Sequence, residues 1–129
     1  MDSASGHIHR ICIVDDDASI RDSMRALLES YGFETQAFSS AAAFLSTPFS
    51  YCCLIVDYSM PVTDGLALLE LLRAGDIATP ALLMTDKYEP TLVVRTKALG
   101  IHVSLVKPIR ETKLVRSIEA ACTGWRCAS

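Results

Sequence analysis

The sequence predicts an α/β fold, a doubly wound parallel sheet of five strands with helices on both faces. Two observations lead to this prediction. Short, continuous apolar runs recur along the chain, and each is followed by a segment whose apolar residues have helical spacing. Continuous apolar runs are typical of strands that are buried on both faces. Connections between parallel strands are right-handed, and a common order for five such strands is 2-1-3-4-5, which we expect here.

The first two strand–helix units lie in the first third of the chain. Residues 11–14 are apolar and mostly β-branched, which predicts a buried strand. Residues 20–31 have the spacing of one helix face, and Gly32 is a typical helix stop. Residues 33–38 alternate weakly, as an edge strand does, and residues 41–45 predict a short helix.

Three further units complete the pattern. The predicted strands cover residues 51–56, 80–84 and 101–106, and the predicted helices cover residues 66–72, 90–99 and 111–122. Gly75 and Gly100 follow the third and fourth helices, and Pro90 stands in the first turn of the fourth, which are usual places for these residues. We therefore expect a single domain over residues 1–129, with its core at 9–122.

The composition excludes several classes of protein. The net charge of −3 gives no general attraction to nucleic acid or to a membrane surface. No apolar run approaches the ~20 residues of a membrane span, and the N-terminus has no signal-peptide pattern, so we expect a cytoplasmic protein without membrane contact. Cys12, Cys52 and Cys53 lie in apolar segments and are expected to be reduced core thiols.

Polar and charged side chains stand at the carboxyl ends of the predicted strands. Asp15 and Asp16 follow the first strand, Asp57 the third, Thr85 the fourth and Lys107 the fifth. In the expected strand order, these ends meet at one edge of the sheet. Carboxylates that are packed together repel each other, and a lysine or a divalent cation relieves the repulsion. Because Mg²⁺ prefers carboxylate and carbonyl oxygens, the pattern predicts a magnesium site at this edge.

Each of these residues has a simpler interpretation when it is taken alone. The aspartates at 15–17 could cap the first helix, and we expect Asp17 to do so. Asp57 could start a turn, and Asp64 with Gly65 is expected to be a turn and a helix cap. The joint placement of polar residues, each after its own strand, favours the site.

Four short runs carry a resemblance to a known family. They are IVDDD, LIVDYSMPVTDG, ALLMT and LVKP, and their order and spacing extend over residues 9–122. Together they resemble the signatures of response-regulator receiver domains of two-component systems. The resemblance is greatest to receivers that precede a LuxR-type DNA-binding domain, as in nitrogen-fixation regulators. It implies the flavodoxin-like receiver fold and a phosphorylated signalling domain.

The resemblance implies that Asp57 is the phosphoacceptor. Its carboxylate would attack the phosphohistidine of a histidine kinase or phosphotransfer protein and form an aspartyl phosphate. Asp16 would bind Mg²⁺ directly and Asp15 through water, while Asp57 and the backbone carbonyl of Ser59 would complete the protein ligands.

Lys107 and Thr85 have implied roles at the phosphoryl group. Lys107 would pair with phosphoryl oxygens and Thr85 would hydrogen-bond one of them, so that the chemistry is mainly positioning and charge neutralisation. The peptide bond between Lys107 and Pro108 is expected to be cis. The domain would then be a conformational switch, with self-catalysed phosphoryl transfer and autodephosphorylation at most, and not a turnover enzyme.

The chain departs from the family at two positions. Asp86 follows Thr85 where the family usually has Ala or Gly, and Ser104 stands where an aromatic residue usually reports phosphorylation. Asp86 could hinder donor entry, repel the phosphoryl group or swing out to solvent, and Tyr88 could replace the missing aromatic. These departures affect the switching rate and the output route, and they leave the acceptor and metal residues intact.

Two other functions compete with the phosphoacceptor switch. One is a receiver-like interaction domain that no longer depends on phosphorylation. The other is a Mg²⁺-dependent phosphatase, which is disfavoured because Ser59, and not a second aspartate, stands two residues after Asp57. The switch could also form a homodimer through the face of helix 4, strand 5 and helix 5. DNA binding would need a separate output domain outside this chain, and the sequence leaves the role of Trp125 open.

Overall fold

The computed structural model describes residues 9–47, 51–101 and 103–123. Trp125 lies outside the described residues, and so does the side chain of Ser104. Strands and helices alternate strictly: β1 Arg10–Val14, α1 Ala18–Ser30, β2 Glu34–Phe38, α2 Ala41–Leu45, β3 Cys53–Asp57, α3 Gly65–Ala74, β4 Ala81–Thr85, α4 Pro90–Ala98, β5 Val103–Val106 and α5 Glu111–Cys122. Every predicted element is present. Within the described ranges, no helix is both long and apolar enough to span a membrane.

The strands form one sheet in the order β2-β1-β3-β4-β5, and all neighbouring strands are parallel. The predicted fold class and strand order are therefore confirmed. In the register of the sheet, Asp57 lies beside Met84, and Thr85 lies beside Val106. Asp57 and Thr85 are thus the last residues of β3 and β4, and the loops that follow these strands start from the same edge.

Two hydrophobic layers enclose the sheet, because successive strand residues point to opposite faces. On β3, Val56 packs in one layer with Phe44 of α2 and Leu69 of α3, whereas Ile55 packs in the other with Leu28 of α1. β3 and β4 are buried at every position, which explains their continuous apolar sequences, while the edge strand β2 is only partly buried. Full burial of one large apolar side chain contributes about 1.5–3 kcal/mol to the stability of the fold. The fully buried strands β3 and β4 are therefore a stable support for the residues at their carboxyl ends.

Two aspartates begin helices, as predicted. At the start of α1, Asp17 accepts hydrogen bonds from the backbone N–H groups of Ser19 and Ile20, with N···O distances of 2.9 and 3.3 Å. At the start of α3, Asp64 accepts one from the N–H of Ala67 at 2.8 Å. An N-cap of this kind contributes about 1 kcal/mol. The two caps also fix where the loops after β1 and β3 end.

The cysteines differ from the prediction at one position. Cys12, Cys53 and Cys122 are buried free thiols, and burial raises the pKa of Cys122 to about 11. Cys52 is disulfide-bonded, so the expectation of a reduced thiol there is wrong. The position of Cys52 in an apolar run could not show that it forms a disulfide, because the bond depends on which cysteine the fold brings close in space.

Candidate functional site

The site is built on the loop that follows β3. Tyr58 donates its backbone N–H to the carbonyl of Met84 at 2.8 Å, which holds the end of β3 against β4. The loop returns at Gly65, whose N–H donates to the carbonyl of Tyr58 at 3.0 Å. A Cβ atom at residue 65 would collide with the backbone carbonyl of Asp57, so only glycine fits there. Asp57 is therefore held by its own strand and by the returning loop.

Three carboxylates that were predicted as metal ligands come together at the sheet edge. One oxygen from each of Asp15, Asp16 and Asp57 lies within 4.8 Å of the other two. Asp15 is fully buried, Asp57 is 3% exposed, and Asp16 is open to solvent. Asp15 Oδ1 accepts a hydrogen bond from the N–H of Asp17 at 2.9 Å, so the backbone of the helix cap also orients this buried carboxylate.

Lys107 supplies positive charge to the cluster. Its Nζ atom lies 3.0 Å from Asp57 Oδ1 and 3.6 Å from Asp15 Oδ2. The backbone N–H of Lys107 donates to the carbonyl of Thr85 at 2.8 Å, which extends the pairing of β4 with β5 to the edge of the site. The peptide bond from Lys107 to Pro108 is cis, as predicted. Lys107 thus reaches carboxylates from two other strands.

Burial and charge together set the ionisation of the cluster. The pKa of Asp57 is raised, and burial is the largest cause. The negative charge of Asp15 raises this pKa further, whereas contact with the Lys107 ammonium lowers it. The pKa of Asp15 is also raised, chiefly by burial. Burial alone would lower the pKa of Lys107, but Asp57 and Asp15 outweigh it and the pKa is raised. The ammonium therefore stays charged beside carboxylates that are incompletely compensated.

The chemistry of the carboxylate oxygens fits a divalent cation. Among the described residues, Asp15 Oδ2 and Asp57 Oδ1 are buried and accept no well-formed hydrogen bond, so the ion pair with Lys107 is their main compensation. Buried acceptor oxygens beside the exposed Asp16 match the preference of Mg²⁺ for oxygen ligands and retained waters. Ser59 lies in the loop two residues after Asp57 with an exposed side chain, and its carbonyl stays a predicted ligand.

Thr85 forms the β4 side of the site. The residue is 4% exposed and ends its strand. Its Oγ1 donates to the carbonyl of Lys87 at 3.1 Å, which closes a turn around Asp86. Asp86 itself is exposed, as is Tyr88. The hydrogen bond from Thr85 to a phosphoryl oxygen stays a prediction, and it would require this hydroxyl to leave Lys87.

Arg21 belongs to the site although its role was not predicted from the sequence. From α1, its Nη1 donates to the backbone carbonyl of Asp15 at 2.8 Å. This bond ties the first helix to the acidic loop, and it places a second cation near the carboxylates. A sequence signal was present, because Arg21 stands four residues after the helix cap Asp17, one turn beyond the acidic run.

A cleft of about 500 Å³ opens beside the carboxylates, between α1 and the loop from β5 to α5. Its polar end includes Asp86 and Lys107. The apolar part is lined by Ile20, Met24, Leu27, Met84, Ile109 and Leu114. Lys107 lines this cleft and also contacts the carboxylate cluster, so the cleft and the site share this residue.

Comparison with known proteins decides the family. The family model for the response regulator receiver domain matches residues 11–119. This chain belongs to the response-regulator receiver domain family. The transcriptional regulatory protein FixJ of Bradyrhizobium diazoefficiens is 37% identical over 121 residues, which cover 92% of this chain and 58% of that protein. The response regulator protein TodT of Pseudomonas putida is 32% identical over 113 residues, which cover 86% of this chain and 50% of that protein.

Solved structures agree with the sequence comparison. The response regulator StyR gives a TM-score of 0.83 at 34% identity, over 88% of this chain and 59% of that one. Chemotaxis protein CheY4 of Vibrio cholerae gives a TM-score of 0.80 at 25% identity, over 88% and 98% of the two chains. The receiver spans about half the length of the curated relatives that it matches.

The predicted family and function are thus confirmed. The chain is a receiver domain of two-component response regulators, and its relatives include the transcriptional regulatory protein FixJ. The family is a phosphoacceptor switch and not a classical enzyme. A domain that no longer depends on phosphorylation is not favoured.

Proposed function

We propose that this receiver accepts a phosphoryl group on Asp57 from the phosphohistidine of a histidine kinase or phosphotransfer protein, with Mg²⁺ as cofactor. We take residues 1–129 to form one receiver domain with this activity in the cytoplasm. One observation carries the proposal: a nearly buried carboxylate lies 3.0 Å from the Lys107 ammonium and within 4.8 Å of two further carboxylates. A nucleophile with its compensating groups already in place needs little rearrangement to react.

In the transfer step, an Asp57 oxygen forms a bond to phosphorus while the bond from phosphorus to the histidine nitrogen breaks. The nitrogen keeps the electron pair. Lys107 then holds a phosphoryl oxygen, since its Nζ already lies against the attacking carboxylate. Thr85 turns its hydroxyl away from the Lys87 carbonyl to donate to another phosphoryl oxygen. Attack of water on the aspartyl phosphate later returns the domain to its first state.

Asp15, Asp16, Asp57 and the carbonyl of Ser59 would hold the magnesium ion. When bound, the ion neutralises negative charge on the phosphoryl oxygens and on the carboxylates. The support for this assignment is the pair of buried oxygens that lack well-formed hydrogen bonds, Asp15 Oδ2 and Asp57 Oδ1. Asp16 would bind the ion directly, and Asp15 would bind it through a water molecule.

The output of the switch would be the face of α4, β5 and α5. Val94 on α4 and Val106 on β5 are 68% and 41% exposed, so this face offers apolar surface to a second copy of the chain. Loss of the hydrogen bond from the Thr85 hydroxyl to the Lys87 carbonyl would free the loop that leads into α4. Tyr88 lies in that loop with 67% of its surface exposed, and it is the aromatic residue that could move with the loop. Because the matched relatives are about twice as long, we propose that the signal passes to an output domain of a longer regulator.

Acetyl phosphate labelling followed by intact-protein mass spectrometry tests the acceptor. In the presence of Mg²⁺, the parent protein should gain one phosphoryl group and Asp57→Asn none, because an amide is a poor nucleophile. The matched control is Asp76→Asn, which makes the same change at an exposed aspartate after α3, where asparagine also tolerates the φ of 62°. The control should be labelled like the parent. Labelling of Asp57→Asn at the parental rate would show that the acceptor assignment is wrong.

A further inference from the structure

Asp86 lies beside Lys107 at the open side of the site. The backbone N–H of Lys107 donates to the carbonyl of Thr85, the residue before Asp86, at 2.8 Å. The hydroxyl of Thr85 donates to the carbonyl of Lys87, the residue after Asp86, at 3.1 Å. The backbone on both sides of Asp86 is therefore held, and Asp86 and Lys107 line the same cleft.

This position gives Asp86 an electrostatic influence on the reacting groups. Lys107 already contacts two carboxylates, with its Nζ 3.0 Å from Asp57 and 3.6 Å from Asp15. The pKa of Lys107, which burial lowers and Asp57 and Asp15 raise, is raised by the charge of Asp86 as well. Asp86 is thus a further negative charge near Lys107, on the lining of the cleft that Lys107 shares. Because the residue is exposed, its effect is modest and sensitive to salt.

A negative charge at the entrance acts differently on two classes of phosphodonor. With an acyl phosphate, the Asp57 oxygen bonds to phosphorus, the bond from phosphorus to the acyl oxygen breaks, and that oxygen departs as a carboxylate. With a phosphoramidate, the bond from phosphorus to nitrogen breaks, and the protonated nitrogen takes the electron pair and departs as a neutral amine. The carboxylate-releasing donor therefore builds negative charge near Asp86, and the nitrogen donor does not.

We propose that Asp86 is a specificity-determining residue, which selects phosphodonors with a nitrogen leaving group over those with a carboxylate leaving group. The proposal rests on the proposed acceptor role of Asp57. The proposal gives Asp86 a role. The receiver would react more slowly with acyl phosphates but would still react with a phosphorylated imidazole, because the leaving group of that donor is also a neutral nitrogen.

The test compares labelling by acetyl phosphate and by phosphoramidate in the same protein. Asp86→Asn removes the charge and keeps the size of the side chain, and Asp76→Asn is the control that makes the same change away from the site. The ratio of the phosphoramidate rate to the acetyl phosphate rate should fall by about two- to fivefold in Asp86→Asn. It should stay unchanged in Asp76→Asn. The difference should shrink at about 1 M salt, where the screening length is about 3 Å.

Because the readout is a ratio within one protein, a partly unfolded variant does not imitate the expected result. An unchanged ratio in Asp86→Asn overturns the proposal, and so does an equal rise of both rates, which would mean that the charge of Asp86 repels both donors alike. If neither donor labels the parent protein, the acceptor role of Asp57 fails first and the selection proposed here falls with it. Labelling of the parent by both donors with no effect of Asp86→Asn leaves the acceptor role standing and removes the selection alone.

Discussion

Replacement of Asp57 by asparagine is expected to stabilise the metal-free domain at neutral pH. At an effective dielectric constant of about 20, the attraction between Asp57 and Lys107 at 3.0 Å is about 5.5 kcal/mol. Oxygens of Asp57 and Asp15 lie within 4.8 Å of each other, so their repulsion is at least about 3.5 kcal/mol. The exposed Asp16 adds about 1 kcal/mol of repulsion after screening. The charge interactions of Asp57 therefore nearly cancel.

Desolvation then decides the sign of the change. A buried carboxylate loses several kcal/mol of hydration, and a neutral amide of the same shape avoids most of this cost. We expect Asp57→Asn to raise the free energy of unfolding by about 1–3 kcal/mol at pH 7. In a domain of this size, each kcal/mol corresponds to roughly 3–5 °C in Tm.

The gain should depend on pH in a defined direction. The ordinary pKa of an aspartate is 3.8, and burial raises that of Asp57 in the folded protein. The folded parent thus holds its proton to a higher pH than the unfolded chain, and its stability falls as the pH rises from 3.8 through the folded pKa. Asparagine does not titrate, so the advantage of Asp57→Asn should be largest at pH 7 and should shrink as the pH falls towards 4.

Urea unfolding in a buffer with a chelator measures this prediction. The parent, Asp57→Asn and the control Asp76→Asn are compared at pH 7 and at pH 4. The control should match the parent at both values. The reasoning is refuted if Asp57→Asn is no more stable than the parent at pH 7, or if its advantage is the same at both pH values.

Three more predictions follow from the site. Millimolar Mg²⁺ should raise the Tm of the parent, because the ion binds only the folded state, and the rise should vanish in Asp16→Ala; a melt of the parent that is indifferent to Mg²⁺ would count against a formed metal site. Gly65→Ala should lower the free energy of unfolding by about 2 kcal/mol or more, because the new Cβ atom would collide with the Asp57 carbonyl. Gly75→Ala is the control, because a Cβ atom there has only ordinary contacts at 3.6 Å. Equal urea midpoints for the two variants would contradict this prediction. Asp86→Ala should speed autodephosphorylation by roughly tenfold or less, timed by the decay of labelled protein at matched ionic strength, and an unchanged decay would mean that Asp86 does not obstruct water.

The sequence predicted the architecture because the apolar runs that form strands and the residues that end helices indicate the same alternation of strands and helices. Apolar runs such as residues 53–56 must be strands covered on both faces, and glycines such as Gly32 end helices wherever they stand after an apolar helical pattern. The gathering of polar residues into a metal site was predicted for a related reason, whereas the acceptor role of Asp57 and the separate ligand roles were implied by the resemblance to receiver domains. In a parallel sheet, the residues that follow successive strands converge at one edge, whatever the details of packing.

Other features depend on distances in space that no sequence pattern encodes. The collision that requires Gly65 arises where the β3–α3 loop returns to the Asp57 carbonyl, and the bond from Arg21 to the Asp15 carbonyl needs the first helix at one particular angle. The disulfide at Cys52 is of the same kind, because a disulfide requires a short distance between two sulfur atoms that the sequence does not state.

By itself, the sequence determined the parallel sheet and the residues that stand at the carboxyl ends of its strands, because periodicity and chain direction fix which residue types end which strands. The strand order was expected only as the common one, and the structure decided it. Only the tertiary structure decided the balance of charge among the residues at those strand ends. Lys107 reaches 3.0 Å from Asp57 and 3.6 Å from Asp15, while oxygens of both aspartates stay buried without well-formed hydrogen bonds. Electrostatic energies vary steeply with ångström distances and with burial, and these quantities exist only once the chain has folded.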